Sequence, residues 1–286
     1  MILVSGATGT TGGHVARHLK EKGADFRALV RSEDKAGALR KRGIDSVIGD
    51  YGSPDALKAA FDGVDHAFLV APASEQQVEQ EAAFIDAAKE AGVAHVVKLS
   101  VVGADLESPV RFAAIHAQVE KYLKDSGLGY TIVQPNSFMD NTLGLAGSIA
   151  EQGVVYSSIQ NAPISHVAAS DIGASAAAAL IEPGHEGKTY VLTGPAPVTY
   201  EEDVVPVLAN LLGKEVRHQS VTDADAKQAM LDMGMPEWRV DGLVELFDIY
   251  RAGYAAEAHP GVREATGRDA QSYEQWATEN RAAFSG

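Results

Sequence analysis

The chain has 286 residues, of which 45% are hydrophobic and 22% charged, and its formal net charge is −15. This composition is that of a globular protein with a sizeable core, and the negative charge disfavours nucleic acid or an anionic membrane surface as a partner. Because the chain has no cysteine, disulfides, thiol redox chemistry and cysteine metal sites are excluded, which suits a reducing compartment. No stretch has the apolar length of a membrane span. We therefore expect a cytoplasmic protein.

The first fourteen residues contain a glycine-rich turn between a strand and a helix. The apolar run Ile2–Val4 predicts a buried strand, glycines follow at three-residue spacing, and a helical pattern starts near Gly12. This arrangement binds a dinucleotide pyrophosphate, because glycine lets the backbone approach the phosphates and free N–H groups at the helix start attract their charge. An ordinary glycine turn is the alternative. The residues predicted to hold the pyrophosphate are Gly6, Thr8, Gly9, Thr10, Thr11 and Gly12.

The end of the second predicted strand, Phe26–Val30, indicates which dinucleotide is bound. In many dinucleotide folds an acidic residue near this position holds the ribose hydroxyls of NAD. This strand instead ends at Arg31, with Lys35 a turn later. A guanidinium here would pair with a 2′-phosphate, whereas the alternative is a solvated arginine. The sequence therefore predicts NADP(H) as the cofactor.

Strands and helices continue to alternate along the first half of the chain. Strands are predicted at Ser46–Ile48, His66–Val70, Val93–Leu99 and Tyr130–Gln134, and helices at Asp55–Phe61, Glu75–Ala91 and Val110–Lys124. The alternation predicts an α/β fold with a doubly wound parallel Rossmann-type sheet, whose ligands lie at the carboxyl ends of the strands. The further cofactor contacts predicted at these ends are Asp50, Tyr51, Ala71, Pro72, Pro135 and Phe138.

After residue 150 the pattern of the chain becomes looser. Ile164–Val167 is a candidate strand, Tyr190–Leu192 is predicted as the last strand of the sheet, and Thr199–Glu202 resembles a capping box that opens a helix through Leu212. The remainder is mainly helical. We therefore predict a nucleotide-binding domain at residues 1–152 and a smaller, mainly helical substrate lobe at residues 153–286 that returns at least one strand to the sheet.

The residues used for tyrosine-assisted carbonyl reduction are absent. No tyrosine has a lysine four residues later, so the pair in which lysine lowers the tyrosine pKa is missing. The helix that should carry this pair has His116 and Glu120 on one face instead. A histidine could protonate or orient a substrate near neutral pH, although it could equally be a polar residue of the pocket wall. The candidates for catalysis are His116, Ser100 and Asn136, and no metal site is predicted.

Eight segments spread over the chain carry a family resemblance. They are Val4–Val15, Leu29–Ser32, Gly49–Tyr51, His116–Lys121, Tyr130–Phe138, Gly242–Phe247, Tyr250–Tyr254 and Thr266–Arg268. Together they resemble the NmrA-like branch of the atypical short-chain dehydrogenases, and within it the NADPH-dependent quinone and triphenylmethane-dye reductases and the azoreductases.

The resemblance implies two alternative functions. The first is direct hydride transfer from NADPH to a small, electron-poor acceptor such as a quinone or dye, which needs no strong protein acid and so suits the missing tyrosine–lysine pair. The second is a non-catalytic NADP(H)-sensing regulatory protein, because the branch includes a regulator that binds dinucleotide without catalysis. A sugar-nucleotide epimerase is disfavoured, since that chemistry normally uses the missing tyrosine. We expect a monomer or a homodimer in either case.

Overall fold

The computed structural model describes residues 1–285, in which strands and helices alternate as expected. The strands are β1 Ile2–Val4, β2 Phe26–Val30, β3 Asp45–Ile48, β4 His66–Leu69, β5 His95–Leu99, β6 Gly129–Pro135, β7 Val154–Ser157, β8 Thr189–Leu192 and β9 Arg217–Ser220. The helices are α1 Thr10–Glu21, α2 Glu33–Arg40, α3 Pro54–Ala60, α4 Gln77–Glu90, α5 Arg111–Asp125, α6 Ala146–Gln152, α7 Ala169–Ile181, α8 Val205–Leu212, α9 Asp223–Asp232, α10 Glu237–Arg251, α11 Gly261–Thr266 and α12 Tyr273–Glu279.

The main sheet has seven parallel strands in the order β3-β2-β1-β4-β5-β6-β8. The chain reverses its direction of travel across the sheet between β1 and β4, and ligands of such sheets bind in the crevice at this switch point. The predicted doubly wound parallel sheet is confirmed. It places the glycine turn after β1 beside the end of β4, at the centre of the carboxyl edge.

Two apolar layers cover the sheet, as alternation along the strands requires. On one face, Val4 of β1 contributes to a buried cluster with Val15 of α1 and Ile172 of α7. On the opposite face, Leu3 belongs to a cluster with Phe84 and other side chains of α3, α4 and α5. Three layers of helix, sheet and helix follow from this division.

Helix α7 packs closely on α1 because Gly173 has no side chain. A β-carbon built there would lie 2.8 Å from the carbonyl carbon of His14 and 3.0 Å from the nitrogen of Val15. Helix α1, which follows the glycine turn, is therefore fixed in position by its close contact with α7. Strand β8 belongs to the main sheet and α7 packs against it, so the part of the chain after residue 152 returns one strand to this sheet. The division into two domains after residue 152 stays a prediction.

A separate apolar cluster lies in the C-terminal part, around α8 and α12. It contains Leu208 of α8 and Trp276 of α12, beside a two-stranded parallel ribbon of β7 and β9. No helix within residues 1–285 is long and apolar enough to cross a membrane.

Two local predictions for the C-terminal half are wrong. The segment 164–167 forms only single bridges, Phe138 to Val167 and Ile164 to Val198, because its intervening N–H groups bond elsewhere. The segment after Thr199 opens with a turn of π-helix, and α8 starts only at Val205. The Thr199 side chain caps the turn, but its backbone N–H donates to Asp203 rather than to the carboxylate expected in a capping box.

His166 in this segment makes stability depend on pH. The residue is 9% exposed, its Nδ1 has no partner within residues 1–285, and burial lowers its pKa from 6.5 to about 4. A base with a lowered folded pKa contributes stability fully above pH 6.5 and loses it as pH falls towards 4. We expect His166→Leu to reduce the loss of unfolding free energy between pH 7.5 and 4.5 by about 2–3 kcal/mol, measured by urea unfolding. Parallel pH curves for the two proteins would contradict this.

Candidate functional site

A cavity of about 550 Å³ opens at the carboxyl edge of the sheet, over the switch point. Twelve of the fourteen predicted cofactor residues line it: Gly6, Thr8, Gly9, Thr10, Thr11, Gly12, Arg31, Lys35, Asp50, Tyr51, Ala71 and Pro72. Pro135 and Phe138, at the end of β6, do not line this cavity. Sequence reasoning missed Ser5, Val70 and Gln76 among the lining residues. The available signal for Ser5 and Val70 was their position at the carboxyl ends of predicted strands, whereas nothing in the sequence marks Gln76.

The glycine turn has the backbone geometry of an anion site. Gly6 has φ of +64° and lies against Val70, where a β-carbon would be 2.6 Å from the valine Cγ1. Its carbonyl accepts from the N–H of Gly9 (2.8 Å), and α1 begins at the next residue with no side-chain cap. The N–H groups of Thr10 and Thr11 have no partner within residues 1–285. Free N–H groups and the positive end of a helix dipole suit a pyrophosphate.

Two cations stand at the end of the cavity that adjoins β2. Arg31 and Lys35 are exposed, and neither makes an ion pair with any carboxylate of residues 1–285. Ser32 between them caps α2 by accepting from the N–H of Lys35 (3.4 Å). The cap fixes the backbone of the lysine one turn from the arginine. Because neither side chain is engaged in an ion pair within residues 1–285, both charges can contact an anionic ligand.

Tyr51 and Ser5 join the strands around the cavity. The Tyr51 hydroxyl donates to the carbonyl of Val70 (2.6 Å), and burial raises the pKa of this phenol. Ser5 Oγ accepts from the N–H of Val70 (2.8 Å) and donates to the carbonyl of Phe68 (2.9 Å). One oxygen of Asp50 accepts from the N–H of Gly52 (2.9 Å), which leaves its other oxygen for a ligand. Tyr51 therefore forms part of the cavity wall, and its raised pKa makes it unsuited to act as a general acid.

Behind the cavity lies an ion pair that sequence reasoning missed. Lys98 Nζ lies 2.8 Å from Glu81 Oε2, and both side chains are fully buried. On α4 the apolar residues Val78 and Ala82 are only partly buried, whereas the polar residues Gln77 and Glu81 are fully buried. The reason is the lysine: a buried ammonium needs a carboxylate partner. A lysine inside an otherwise apolar strand was the available signal.

The same lysine contacts His116, the first catalytic candidate. Lys98 Nζ lies 3.0 Å from His116 Nδ1, and the imidazole is partly buried on α5. Burial and the neighbouring ammonium hold the pKa of His116 well below 6.5. The histidine is therefore neutral at pH 7, and it can donate a hydrogen bond without being an acid of ordinary strength.

The two other catalytic candidates have their polar atoms engaged. Ser100 Oγ donates to Glu120 Oε1 (2.5 Å), a carboxylate that also accepts from Gln134 (2.7 Å). The Asn136 amide donates to the carbonyl of Ala255 (2.9 Å), and its oxygen accepts from the N–H of the next residue (2.8 Å). No hydrogen bond joins Ser100, His116 and Asn136 to one another within residues 1–285. Their catalytic roles stay predictions.

Comparison with known proteins decides the family. The model of the NmrA-like family matches residues 1–276. The chain belongs to the NmrA-like family. The resemblance found in its sequence motifs is thereby confirmed.

Relatives of this NmrA-like protein include named reductases. It is 40% identical over 284 residues to the NAD(P)H azoreductase of Xenophilus azovorans, covering 99% of each chain. Its fold matches that of the Escherichia coli NADPH-dependent quinone oxidoreductase complexed with NADPH at a TM-score of 0.87, with 30% identity over 98% of this chain and 100% of the other. For Citrobacter sp. triphenylmethane reductase complexed with NADP(H), the TM-score is 0.85 and the identity 29%, over 98% and 99% of the two chains.

Proposed function

We propose that this protein is an NADPH-dependent oxidoreductase that reduces an electron-poor acceptor such as a quinone or a dye. One observation carries the proposal: a single cavity joins the N–H groups at the start of α1 to the cations Arg31 and Lys35, and none of these groups has a partner within residues 1–285. The named relatives are an NAD(P)H azoreductase and quinone and dye reductases solved with NADPH or NADP(H). The cofactor is therefore NADP(H), and the partner is a small-molecule acceptor.

The residues around the cavity fit each part of this cofactor. The glycine turn would hold the pyrophosphate, Arg31 and Lys35 the 2′-phosphate, and the free oxygen of Asp50 the adenine amino group. Ala71 and Pro72 would lie along the ribose and nicotinamide, and Pro135 and Phe138 would flank the ring from the end of β6. When bound, the reduced nicotinamide supplies a hydride. The contribution of the chain is then mainly to hold the two reactants in register.

The missing tyrosine–lysine pair restricts the acceptor rather than excluding catalysis. A quinone accepts a hydride without prior protonation, so a hydrogen bond to the negative charge that develops on its oxygen is sufficient. A cationic dye is neutralised by the hydride and needs no proton. His116 is the proposed donor, because its ring is neutral and partly exposed. Ser100 and Asn136 would act indirectly, by fixing the positions of the groups to which they are hydrogen-bonded.

NADPH oxidation followed at 340 nm tests the proposal. The acceptor panel would contain a benzoquinone, a naphthoquinone, an azo dye and a triphenylmethane dye, with acceptor-free protein as the control. We expect at least one acceptor to be reduced with one equivalent of NADPH per hydride transferred. Tight NADPH binding with no turnover above background for any acceptor would contradict the enzyme proposal and favour the regulatory alternative.

A further inference from the structure

We propose that Lys98 and Glu81 are positioning residues, which hold His116 with its proton on Nε2 so that this N–H donates a hydrogen bond to the acceptor during reduction. This inference rests on the proposed function for its catalytic consequence. It concerns a buried network, on β5, α4 and α5, that contacts the cofactor cavity without lining it.

The ammonium group of Lys98 determines the tautomer of His116. It makes hydrogen bonds with the carbonyl of Leu99 (2.8 Å) and with His116 Nδ1 (3.0 Å), and it forms an ion pair with Glu81 Oε2 (2.8 Å). An ammonium has no lone pair to accept a hydrogen bond, so Nδ1 must be the unprotonated nitrogen of the ring. A neutral imidazole carries one proton, which therefore lies on Nε2.

Gln77 offers no acceptor to this Nε2 proton. The Gln77 amide nitrogen lies 3.2 Å from Glu81 Oε1 and 3.4 Å from His116 Nε2. Rotating the amide would place its oxygen against the carboxylate, so the nitrogen must face Glu81. Gln77 then presents a donor to a donor, and the Nε2–H of His116 has no acceptor within residues 1–285.

The charges around the imidazole favour its neutral form. Lys98 faces it from β5, Glu81 and Gln77 lie behind the lysine on α4, and Glu120 follows one turn later on α5. Burial and the ammonium lower the pKa of His116. A neutral N–H held in a partly dehydrated site stabilises negative charge that develops on a quinone oxygen or an azo nitrogen, without a change of protonation state.

The network also fixes the wall of the cofactor cavity. Glu81 Oε1 accepts from the backbone N–H of Ala71 (3.1 Å), and Ala71 lines the cavity beside Pro72. One carboxylate thus holds both the lysine that orients His116 and the strand end proposed to lie along the nicotinamide ribose. The bound cofactor and the hydrogen-bond donor His116 would thereby be kept at a fixed position relative to each other.

Stability alone does not account for this ion pair. Burying a lysine and a glutamate costs several kcal/mol of desolvation per ion, and a well-packed apolar pair of the same volume is commonly as stable or more so. The ammonium nevertheless makes a hydrogen bond with the imidazole and an ion pair with the carboxylate that holds the cavity wall. The arrangement of these contacts orients the His116 imidazole relative to the cavity wall.

The tautomer can be measured by nitrogen-15 NMR of histidine-labelled full-length protein at pH 7.5, with and without NADP+. His116→Gln assigns the His116 signal. We expect Nε2 protonated and Nδ1 unprotonated in the parent protein. A proton on Nδ1, or a doubly protonated ring, would overturn the proposal whatever the activity of the protein.

The test variant Lys98→Met/Glu81→Gln removes both charges together, so that neither is left buried alone, and the amide oxygen introduced by Glu81→Gln can still accept from the N–H of Ala71. We expect its His116 to populate both tautomers and its pKa to rise, because the ammonium is removed, while burial still holds this pKa below the ordinary value. The matched control is Lys124→Met, which removes a half-exposed lysine next to Glu120 (3.2 Å) that does not contact His116. An unchanged His116 tautomer and pKa in the double variant would overturn the proposal.

Kinetics separates this proposal from the proposed function. Between pH 6 and 8 we expect kcat of the parent to be flat, and kcat of the double variant to be about tenfold lower at pH 7.5 and newly pH-dependent, with KM for NADPH within threefold. Equal kcat and pH profiles in both would overturn the positioning role. Failure of every acceptor in the parent, despite the expected tautomer, would instead contradict the proposed function.

Discussion

Replacing Gly12 by alanine is expected to weaken NADPH binding roughly 100-fold, equivalent to about 3 kcal/mol. A β-carbon at this position would collide with the carbonyl oxygen of Gly6 and lie 2.5 Å from its carbonyl carbon and 2.8 Å from the oxygen of Ser5. These atoms are all backbone, so no side-chain rotation relieves the contact. Helix α1 must shift away from the turn, and its free N–H groups move from the phosphates.

The turn cannot absorb this shift on its other side. Gly6 already has a positive φ and touches Val70 of the neighbouring strand end. We therefore expect Gly12→Ala to lower the unfolding free energy of the cofactor-free protein by about 1–3 kcal/mol. Fluorescence titration with NADPH and urea unfolding measure the two effects.

Gly13→Ala is the matched control. A β-carbon at Gly13 would lie 3.5 Å from the carbonyl oxygen of Ala7, an ordinary contact. Alanine is the better helix former by about 0.5–1 kcal/mol, so this variant should be as stable as the parent or more so and bind NADPH within threefold. Similar losses in Gly12→Ala and Gly13→Ala would mean that close packing on the turn is not what Gly12 provides.

The parts of the fold that the sequence predicts correctly have strong local signals. Strand β2 has its predicted bounds because an apolar run ends at a charged residue, and the cavity residues follow from the rule that ligands meet the carboxyl ends of parallel strands. Helix α2 is missed because only Ala36 and Leu39 of its eight residues are buried. Strand β9 is missed because Arg217–Ser220 has no apolar residue and is held by backbone pairing with β7.

The buried network is predictable only in part. Lys98 within an apolar strand signals an unusual environment, but its partner Glu81 lies on a different element, and sequence gives no distance between them. The i, i+4 spacing of Gln77 and Glu81 resembles that of an exposed polar face. Which face of α4 is buried depends on tertiary packing. The orientation of His116 is therefore beyond what one sequence can supply.

Replacing Arg31 by alanine is expected to weaken NADPH binding about 10- to 100-fold and to leave NADH binding within threefold. Arg31 is exposed at the end of β2, lines the cavity and has no carboxylate partner within residues 1–285. Its free guanidinium can pair with a 2′-phosphate through charge-assisted hydrogen bonds, each of which contributes about 1.5–3 kcal/mol. NADH has no 2′-phosphate, so it loses nothing comparable.

Two controls distinguish phosphate recognition from general disruption. Arg40→Ala removes an exposed arginine on α2 that pairs with Glu33 (3.0 Å) and does not line the cavity, so it should leave both affinities unchanged. Arg31→Lys keeps the charge but loses the two-pronged geometry, and it should give an intermediate loss for NADPH. The NADPH affinity of the parent should also fall with added salt more steeply than that of Arg31→Ala, because an exposed ion pair is screened. Equal losses of NADPH and NADH in Arg31→Ala would contradict the 2′-phosphate role, since only a contact with the phosphate discriminates between the two cofactors.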